Sequence, residues 1–521
     1  MRGAVAAGHP LTAQAGAQIL EQGGNAVDAC IAAGFVSWVT ESPLTGPGAG
    51  GFMLVHRASD RSDRLLDFFV AIPGRGLDGH EAASMVEIEV PFDARTLQLF
   101  RIGGASCAVP GAVAGLGEAH RLYGRIPWPD LVSPAIEVAR AGVPLNPQQA
   151  FLHAILDVAL RAEDEGRQIY GETRPLQVGE ALVMADLADT LELLAAEGAG
   201  SFYRGRLARA MSDAVRERGG LLSEEDLATY RVVRRRPVRA QYAGHEFVSN
   251  PPPSSGGLLI AFALRVLDRL GSPGPPGSVE AVAALAEVMR EATLARAGGF
   301  VSSLYRGGLA ARLLDEPSIV AAASRARVGG PAAAREPAGA PSTTHISAVD
   351  ARGNAASLSA STGCGSGVVV PGTGIHMNNM LGETDLNVGG RGAVPGRRLT
   401  SMMAPSVVLA QGRPRLVVGS AGSIRLRAAI LQIVTNVVAH GLGVEEAIAA
   451  PRVHLEGDEL NLEGGIDPGV ADELEERGYD VVRWAERNLY FGGASAVALG
   501  PDGRLEAAGD PRRGGAGVVV Q

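Results

Sequence analysis

The chain has 521 residues, 46% of them hydrophobic and 20% charged, with a formal net charge of −9. That is enough apolar material for a large core, in one big domain or several, and the interspersed charge offers no nucleic-acid surface. All 47 Lys-or-Arg positions are Arg, which excludes a Walker A lysine, a Schiff-base lysine and a Ser–Lys dyad.

Cys30, Cys107 and Cys364 lie too far apart to form a metal-ligand pair. They fit a reducing compartment or inert core positions. The first ten residues lack a signal-peptide pattern, and the longest apolar run, around residues 29–39, is too short to span a bilayer. These features predict a cytoplasmic protein with no membrane or nucleic-acid partner.

Residues 11–22 predict an amphipathic helix stopped by Gly23-Gly24. Asn25 caps a second helix at 26–39, apolar all round and therefore buried. Ser42-Pro-Leu-Thr-Gly-Pro-Gly-Ala-Gly-Gly51 contains a formal G-x-G-x-x-G at Gly46, Gly48 and Gly51. A dinucleotide fingerprint needs a strand before and a helix after. Here the order is reversed, so a glycine turn allowing close backbone approach is expected instead. Residues 65–70 predict a short strand. Helices are expected from Pro110 onward and near 128–141, 147–161, 185–198 and 203–218.

Ser223-Glu-Glu-Asp226 is a capping signature. Arg234-Arg235-Arg236 reads as a solvated loop. Strands at 238–242 and 245–249 form a hairpin, followed by the stiff turn Asn250-Pro-Pro-Pro-Ser-Ser-Gly-Gly257. Helices are expected near 257–270, 278–296 and 307–322. Residues 328–342, rich in Gly, Ala and Pro, form an exposed tether. Beyond it the pattern turns to strands at 344–350, 354–360, 367–370, 405–410 and 415–419. The first two are a hairpin, with Gly353 and Asn354 expected to supply positive-φ turn positions. A glycine turn at Gly422 and Ser423 opens a helix at 426–440 and presents free N–H groups, a ready anion site. A helix at 468–477 and strands near 479–484, 493–499 and 504–508 complete the chain. Helices flanking two strand layers indicate an α+β fold.

The junction Ser342-Thr343-Thr344 joins tether to strand. A Thr hydroxyl there can attack its preceding carbonyl and leave Thr343 as a new N-terminus. Such a residue carries nucleophile and base together, its amine titrating near roughly 7.7–8.0. No cofactor is called for. The alternative is a polar strand start. His345 follows closely, but the amine already serves as base, so a structural role is expected for it.

With these pieces placed, the chain resembles the γ-glutamyltransferase family of N-terminal-nucleophile hydrolases. The motifs are Gly23-Gly-Asn-Ala-Val-Asp-Ala29, Gly50-Gly-Phe-Met-Leu54, Val109-Pro-Gly-Ala-Val-Ala-Gly115, Pro251-Pro-Pro-Ser-Ser-Gly-Gly257, Thr343-Thr-His-Ile-Ser-Ala-Val-Asp350, Gly353-Asn354, Gly365-Ser-Gly367, Asn378-Asn379, Leu399-Thr-Ser-Met402 and Gly419-Ser-Ala-Gly-Ser423. The resemblance implies a four-layer αββα sandwich made as one proenzyme. It implies cleavage between Ser342 and Thr343 into a large chain, 1–342, and a small catalytic chain, 343–521, which stay associated. Thr343 would then attack a γ-glutamyl amide such as glutathione and pass the acyl group to water or an amine. By the same resemblance Ser361 orients the nucleophile, and Gly422 and Ser423 form the oxyanion hole. Thr400 and Ser401 bind the substrate α-carboxylate, and Glu383 binds its α-amino group.

Departures from the family stand beside these matches. Phe69 occupies the place of an Arg that clamps the α-carboxylate, and a bidentate contact of that kind has no substitute in Phe. Met380 replaces a Gln, the Asn of the nucleophile loop is lost in Ser361-Thr-Gly-Cys-Gly365, and little room remains for a lid between Glu383 and Arg397. Arg75, Arg397 and Arg398 are candidates for the missing charge. Three functions therefore stay open: a γ-glutamyl amidohydrolase, a relative acting on another small amide (oxamate- or acylase-like), and an unprocessed non-catalytic member.

Overall fold

A computed structural model of the chain describes residues 2–77, 79–91, 97–271, 274–328, 343–383, 394–500 and 502–521. Its two large sheets are built from β1 (Gly3–Ala7), β2 (Gly50–Arg57), β3 (Ser62–Phe68), β4 (Val233–Arg235), β5 (Val238–Tyr242), β6 (His245–Ser249), β7 (Thr344–Asp350), β8 (Ala355–Ser361), β9 (Ser406–Ala410), β10 (Arg413–Ala421), β11 (Gly493–Leu499), β12 (Leu505–Gly509) and β13 (Ala516–Val520). The seven-stranded sheet runs β13-β1-β7-β8-β2-β3-β4 and the six-stranded sheet β12-β11-β10-β9-β6-β5. Every pairing within both is antiparallel.

The two sheets stack on each other, β10 lying against β7 and β8. An apolar cluster including Phe52, Leu54, Phe69, Val248, Met380, Val407 and Val417 fills the space between them. Helices α1 (Pro10–Glu21), α2 (Ala26–Thr40) and α3 (Ala112–Tyr123) cover the outer face of the seven-stranded sheet. Helices α4 (Gly256–Leu270), α5 (Val279–Leu294) and α6 (Leu426–Val438) lie outside the six-stranded sheet, α4 and α6 directly on its strands. The result is the αββα sandwich, each helix layer closing its own core. Every residue of α2 is buried, as its all-round apolar sequence requires. Its Asn25 cap accepts from Val27 N and Asp28 N and forms a capping box with Asp28.

Several expectations need correction. Strand β1, missed in the sequence, fills the gap between β13 and β7; a five-residue run of small side chains carries no alternation to betray it. Helix 147–161 breaks into Pro147–Ile155 and Asp157–Leu160, and helix 307–322 into Leu309–Leu313 and Glu316–Val328. Arg234 and Arg235 belong to edge strand β4, where Arg235 Nε donates to Asp67 Oδ2 at 2.7 Å and Arg234 pairs with Glu118. In the β7–β8 turn Gly353 has φ +79°, but Asn354 has no positive φ. The Asn354 side chain instead donates to Asp350 Oδ2 at 2.8 Å and accepts from Ala58 N. The hairpins Val86–Pro91 with Leu97–Ile102, and Val453–Glu456 with Glu459–Leu462, also went unforeseen.

Candidate active site

In the β7–β8 hairpin Thr344 stands opposite Ala360 and His345 opposite Ser359. Continuing that register by one residue sets Thr343 opposite Ser361. Strand side chains alternate, so this pair shares the inter-sheet face with His345 and Ser359. Both Thr343 and Ser361 are buried. Ser361 Oγ accepts from Gly363 N at 2.9 Å, which turns the chain sharply at the end of β8. Ser342 and the tether residues 329–342 lie outside the described residues, as do 384–393 beyond Glu383.

Three loops connect to this strand end through chains of neighbouring contacts. The first follows β8: Asn379 N donates to Thr362 O at 3.0 Å, and Asn379 Oδ1 accepts from Cys364 N. A Cβ built on Gly363 (φ +69°) would lie 1.8 Å from Asn379 Oδ1 and 3.0 Å from Glu383 Oε1, so only glycine fits there. Glu383 is thereby brought beside the turn after Ser361.

The second loop is reached through β2. Ser361 pairs with Gly50, and a Cβ on Gly50 would meet Val70 N at 2.6 Å. Val70 O accepts from Leu399 N at 3.2 Å. Buried Thr400 and Ser401 follow, and Ser401 Oγ accepts from Met403 N at 3.0 Å. Ser401 O accepts from Ser254 Oγ and Ser255 N, both at 2.8 Å, which explains the Pro-Pro-Ser-Ser turn preceding α4.

The third loop follows β10. Gly422 has φ +124°, and Ser423 holds a left-handed φ of +53° at the start of a short 3₁₀ turn, Ser423–Arg425. The residues expected to form the oxyanion turn therefore lie in a 3₁₀ turn that precedes α6. Ala421 pairs with Gly493, and a Cβ on Gly493 would strike Arg513 Cδ at 2.2 Å. Arg513 Nη1 in turn donates to Thr343 O at 2.9 Å. The predicted oxyanion turn and the predicted nucleophile are thus linked through one buried arginine that sequence reasoning missed. The doublet Arg512-Arg513, followed by Gly514-Gly515 and an apolar strand, was its only signal.

On the opposite face of β7, Thr344 Oγ1 donates to Glu41 Oε2 at 2.6 Å. Burial pushes the Glu41 carboxyl up to about 7, against the hydrogen bond from Thr344 and the charge of Arg513. Burial pulls Arg513 down to about 10, opposed by Glu41 and Asp510. His345 Nδ1 lies 2.8 Å from Ser359 Oγ and Nε2 lies 3.0 Å from Ser347 Oγ. Burial pushes this imidazole down to about 3. A neutral ring whose nitrogens are spent on serines between the sheets fits the structural role expected for it. Burial, with Glu383 second, pushes the Cys364 thiol well up, so it is no rival nucleophile.

The acyl-side departures also find their places. Phe69 is buried and stacked on Phe52 at 5.4 Å, and shares the inter-sheet cluster with Met380, Leu399 and Met403. Of the arginines considered as replacements, Arg398 stacks over Tyr230 at 4.4 Å, with its Nε 3.3 Å from Asp67 Oδ1. Arg397 lies over Tyr305 at 5.0 Å. Arg75 is half-buried beside Gly396. Among the described residues no group of His, Cys, Asp or Glu side chains could hold a metal, and no helix is long and apolar enough to cross a membrane.

The stacked sheets, the helix layers and a strand that begins at a buried threonine define an enzyme of the N-terminal-nucleophile hydrolase class. The profile of the gamma-glutamyltranspeptidase family matches residues 12–520, and the chain belongs to this family. It is 36% identical to the Acylase ACY 1 proenzyme of Pseudomonas sp. (strain SE83), over 100% of this chain and 94% of that protein. It is 33% identical to the Glutathione hydrolase proenzyme of Escherichia coli (strain K12), over 98% and 90%. Among solved structures, cephalosporin acylase from Bacillus halodurans superposes with a TM-score of 0.83 at 26% identity, covering 100% of this chain and 96% of that one. The gamma-glutamyltranspeptidase of Helicobacter pylori gives 0.53 at 29% identity, over 61% and 89%.

Proposed function

We propose that this chain is a self-processing threonine amidohydrolase whose acyl pocket takes an amide lacking the glutamyl α-carboxylate. In maturation Thr343 Oγ attacks the Ser342 carbonyl carbon and the amide becomes an ester. That shift breaks the C–N bond and frees the Thr343 amine, and water then hydrolyses the ester, releasing the Ser342 carboxylate and restoring the Thr343 hydroxyl. In turnover that amine takes the hydroxyl proton, Thr343 Oγ attacks the substrate amide, and the N–H groups at Gly422 and Ser423 donate to the developing oxyanion. The leaving amine departs protonated, and water or an amine releases the acyl group. Ser361, opposite Thr343, orients the hydroxyl.

One observation carries the choice of acyl group: the ring of Phe69, at the place where the family resemblance implies a carboxylate-clamping arginine, is stacked among apolar side chains. A substrate carboxylate brought there would lose its water without gaining a bidentate partner. The likeness to acylases supports this reading. A γ-glutamyl substrate is the second reading, favoured by the presence of Glu383, Thr400 and Ser401, all buried, at the positions the family resemblance implies for it.

Mass spectrometry of the purified protein should find a fragment beginning at Thr343, absent from Thr343→Ala. The matured enzyme should hydrolyse butanoyl- or pentanoyl-p-nitroanilide, which lack that carboxylate, at a higher kcat/KM than γ-glutamyl-p-nitroanilide. The reverse preference selects the second reading. An uncut chain that fails to turn over any of the three overturns both.

A further inference from the structure

We propose that Glu41 and Arg513 form a buried clamp on Thr343 and on Thr344, the first residue of β7, and so act as positioning residues for the Thr343 nucleophile. The inference rests on Thr343 being that nucleophile and adds how its hydroxyl and amine are held. Arg513 grips the carbonyl of Thr343 itself, and Glu41 grips the side chain of the next residue on the other face. Between them they fix the Thr343 Cα, from which both reacting groups project.

Both side chains sit in cradles shaped for them. A Cβ on Gly8 would fall 2.2 Å from Glu41 Oε2, and a Cβ on Gly493 would fall 2.2 Å from Arg513 Cδ. Thr12 Oγ1 lies 3.4 Å from Glu41 Oε1 and 2.7 Å from Thr40 Oγ1, steadying the carboxyl from α1. Asp510 holds the other end. Its Oδ2 accepts from Arg452 Nη2 at 2.6 Å and from Ala494 N at 2.8 Å, anchoring the 3₁₀ turn Pro511–Arg513 that carries the guanidinium. Neither Glu41 nor Arg513 is proposed to meet the substrate.

The test compares wild type with Arg513→Lys, Glu41→Gln and Gly8→Ala, reading processing by mass and kcat and KM on one acyl-p-nitroanilide. Gly8→Ala is the mildest, since it keeps both side chains and only displaces the end of a flexible one. A shift of the nucleophile of about 1 Å is worth about 100-fold in rate, so kcat should fall roughly 10- to 100-fold while KM stays within about twofold. A folded Arg513→Lys chain that remains uncut also supports the clamp, because the same hydroxyl must reach Ser342. For an Arg513→Ala chain that matures, millimolar guanidinium should restore part of kcat, which a general loss of stability would not allow. Should Arg513→Lys misfold, Glu41→Gln and Gly8→Ala decide. If the variants that fold mature and keep wild-type kcat while Thr343→Ala is inactive, the clamp is refuted and the nucleophile stands. If wild type has no Thr343 terminus, both fall.

Discussion

Ser423 holds a left-handed backbone that most residues avoid at a cost of about 1–3 kcal/mol. Replacing it by glycine should bring stability to within about 1 kcal/mol of wild type in the stabilising direction, with kcat retained, since the required N–H is a backbone group. Denaturant melts and steady-state kinetics of Ser423→Gly check this, and a large loss of kcat would assign a role to the hydroxyl. Phe69 is the opposite case, a side chain whose packing matters more than its backbone. Phe69→Ala should destabilise by about 3–5 kcal/mol through the cavity left against Phe52. Phe69→Arg should not create a γ-glutamyl hydrolase without a larger stability loss, because the guanidinium would enter an apolar cluster unpaired. As candidates, Thr343, Ser361, Gly422, Ser423, Glu383, Thr400 and Ser401 could be named from residue order. Arg513 and Glu41 could not, because nothing local to either marks the contact with β7.

The β7–β8 hairpin sits in the middle of the seven-stranded sheet, with β1 on one side and β2 on the other. Strands from both sides of the proposed cut therefore interleave within one hydrogen-bonded sheet. Fragments 1–342 and 343–521 should co-elute on size exclusion in high salt and separate only in denaturant, since main-chain hydrogen bonds and apolar burial are insensitive to ionic screening. Removing residues 1–8 should abolish soluble protein, because it strips β1 from between β13 and β7 and exposes two strand edges. Expression of that truncation, compared with full length, checks it. The hairpin itself was legible from alternation around a Gly turn. The all-small strand β1 was not, because its pattern is set by neighbours on both sides.

Across the whole molecule, burial holds several imidazoles neutral. His9, His153 and His376 are pushed down to about 4 and His345 to about 3, and His454 lies well below its usual range. Unfolding lets each take up a proton below about 6.5. Their stability is present above that pH and lost as pH falls toward 4, by up to about 1.4 kcal/mol per pH unit for each group. Glu41 has the opposite sign: its raised carboxyl favours the fold at low pH and loses that contribution between about 4.5 and 7. With one carboxyl against several imidazoles, denaturation midpoints should fall from pH 6.5 to 4.5. A flat profile over that window would contradict the burial of these rings.

The residue pattern by itself determined the α+β class and most of the helices and strands, because these follow from periodicity and turn residues, while the αββα sandwich came from the family resemblance carried by motif order. Only the tertiary structure decided that Arg398 is committed to Asp67 and Tyr230 and that Phe69 faces an apolar cluster. It alone brought Glu41 and Arg513, more than 400 positions apart in sequence, to the two sides of β7. Partners so distant leave no local trace, since the free energy of a buried contact depends on which surfaces folding brings together and not on spacing along the chain.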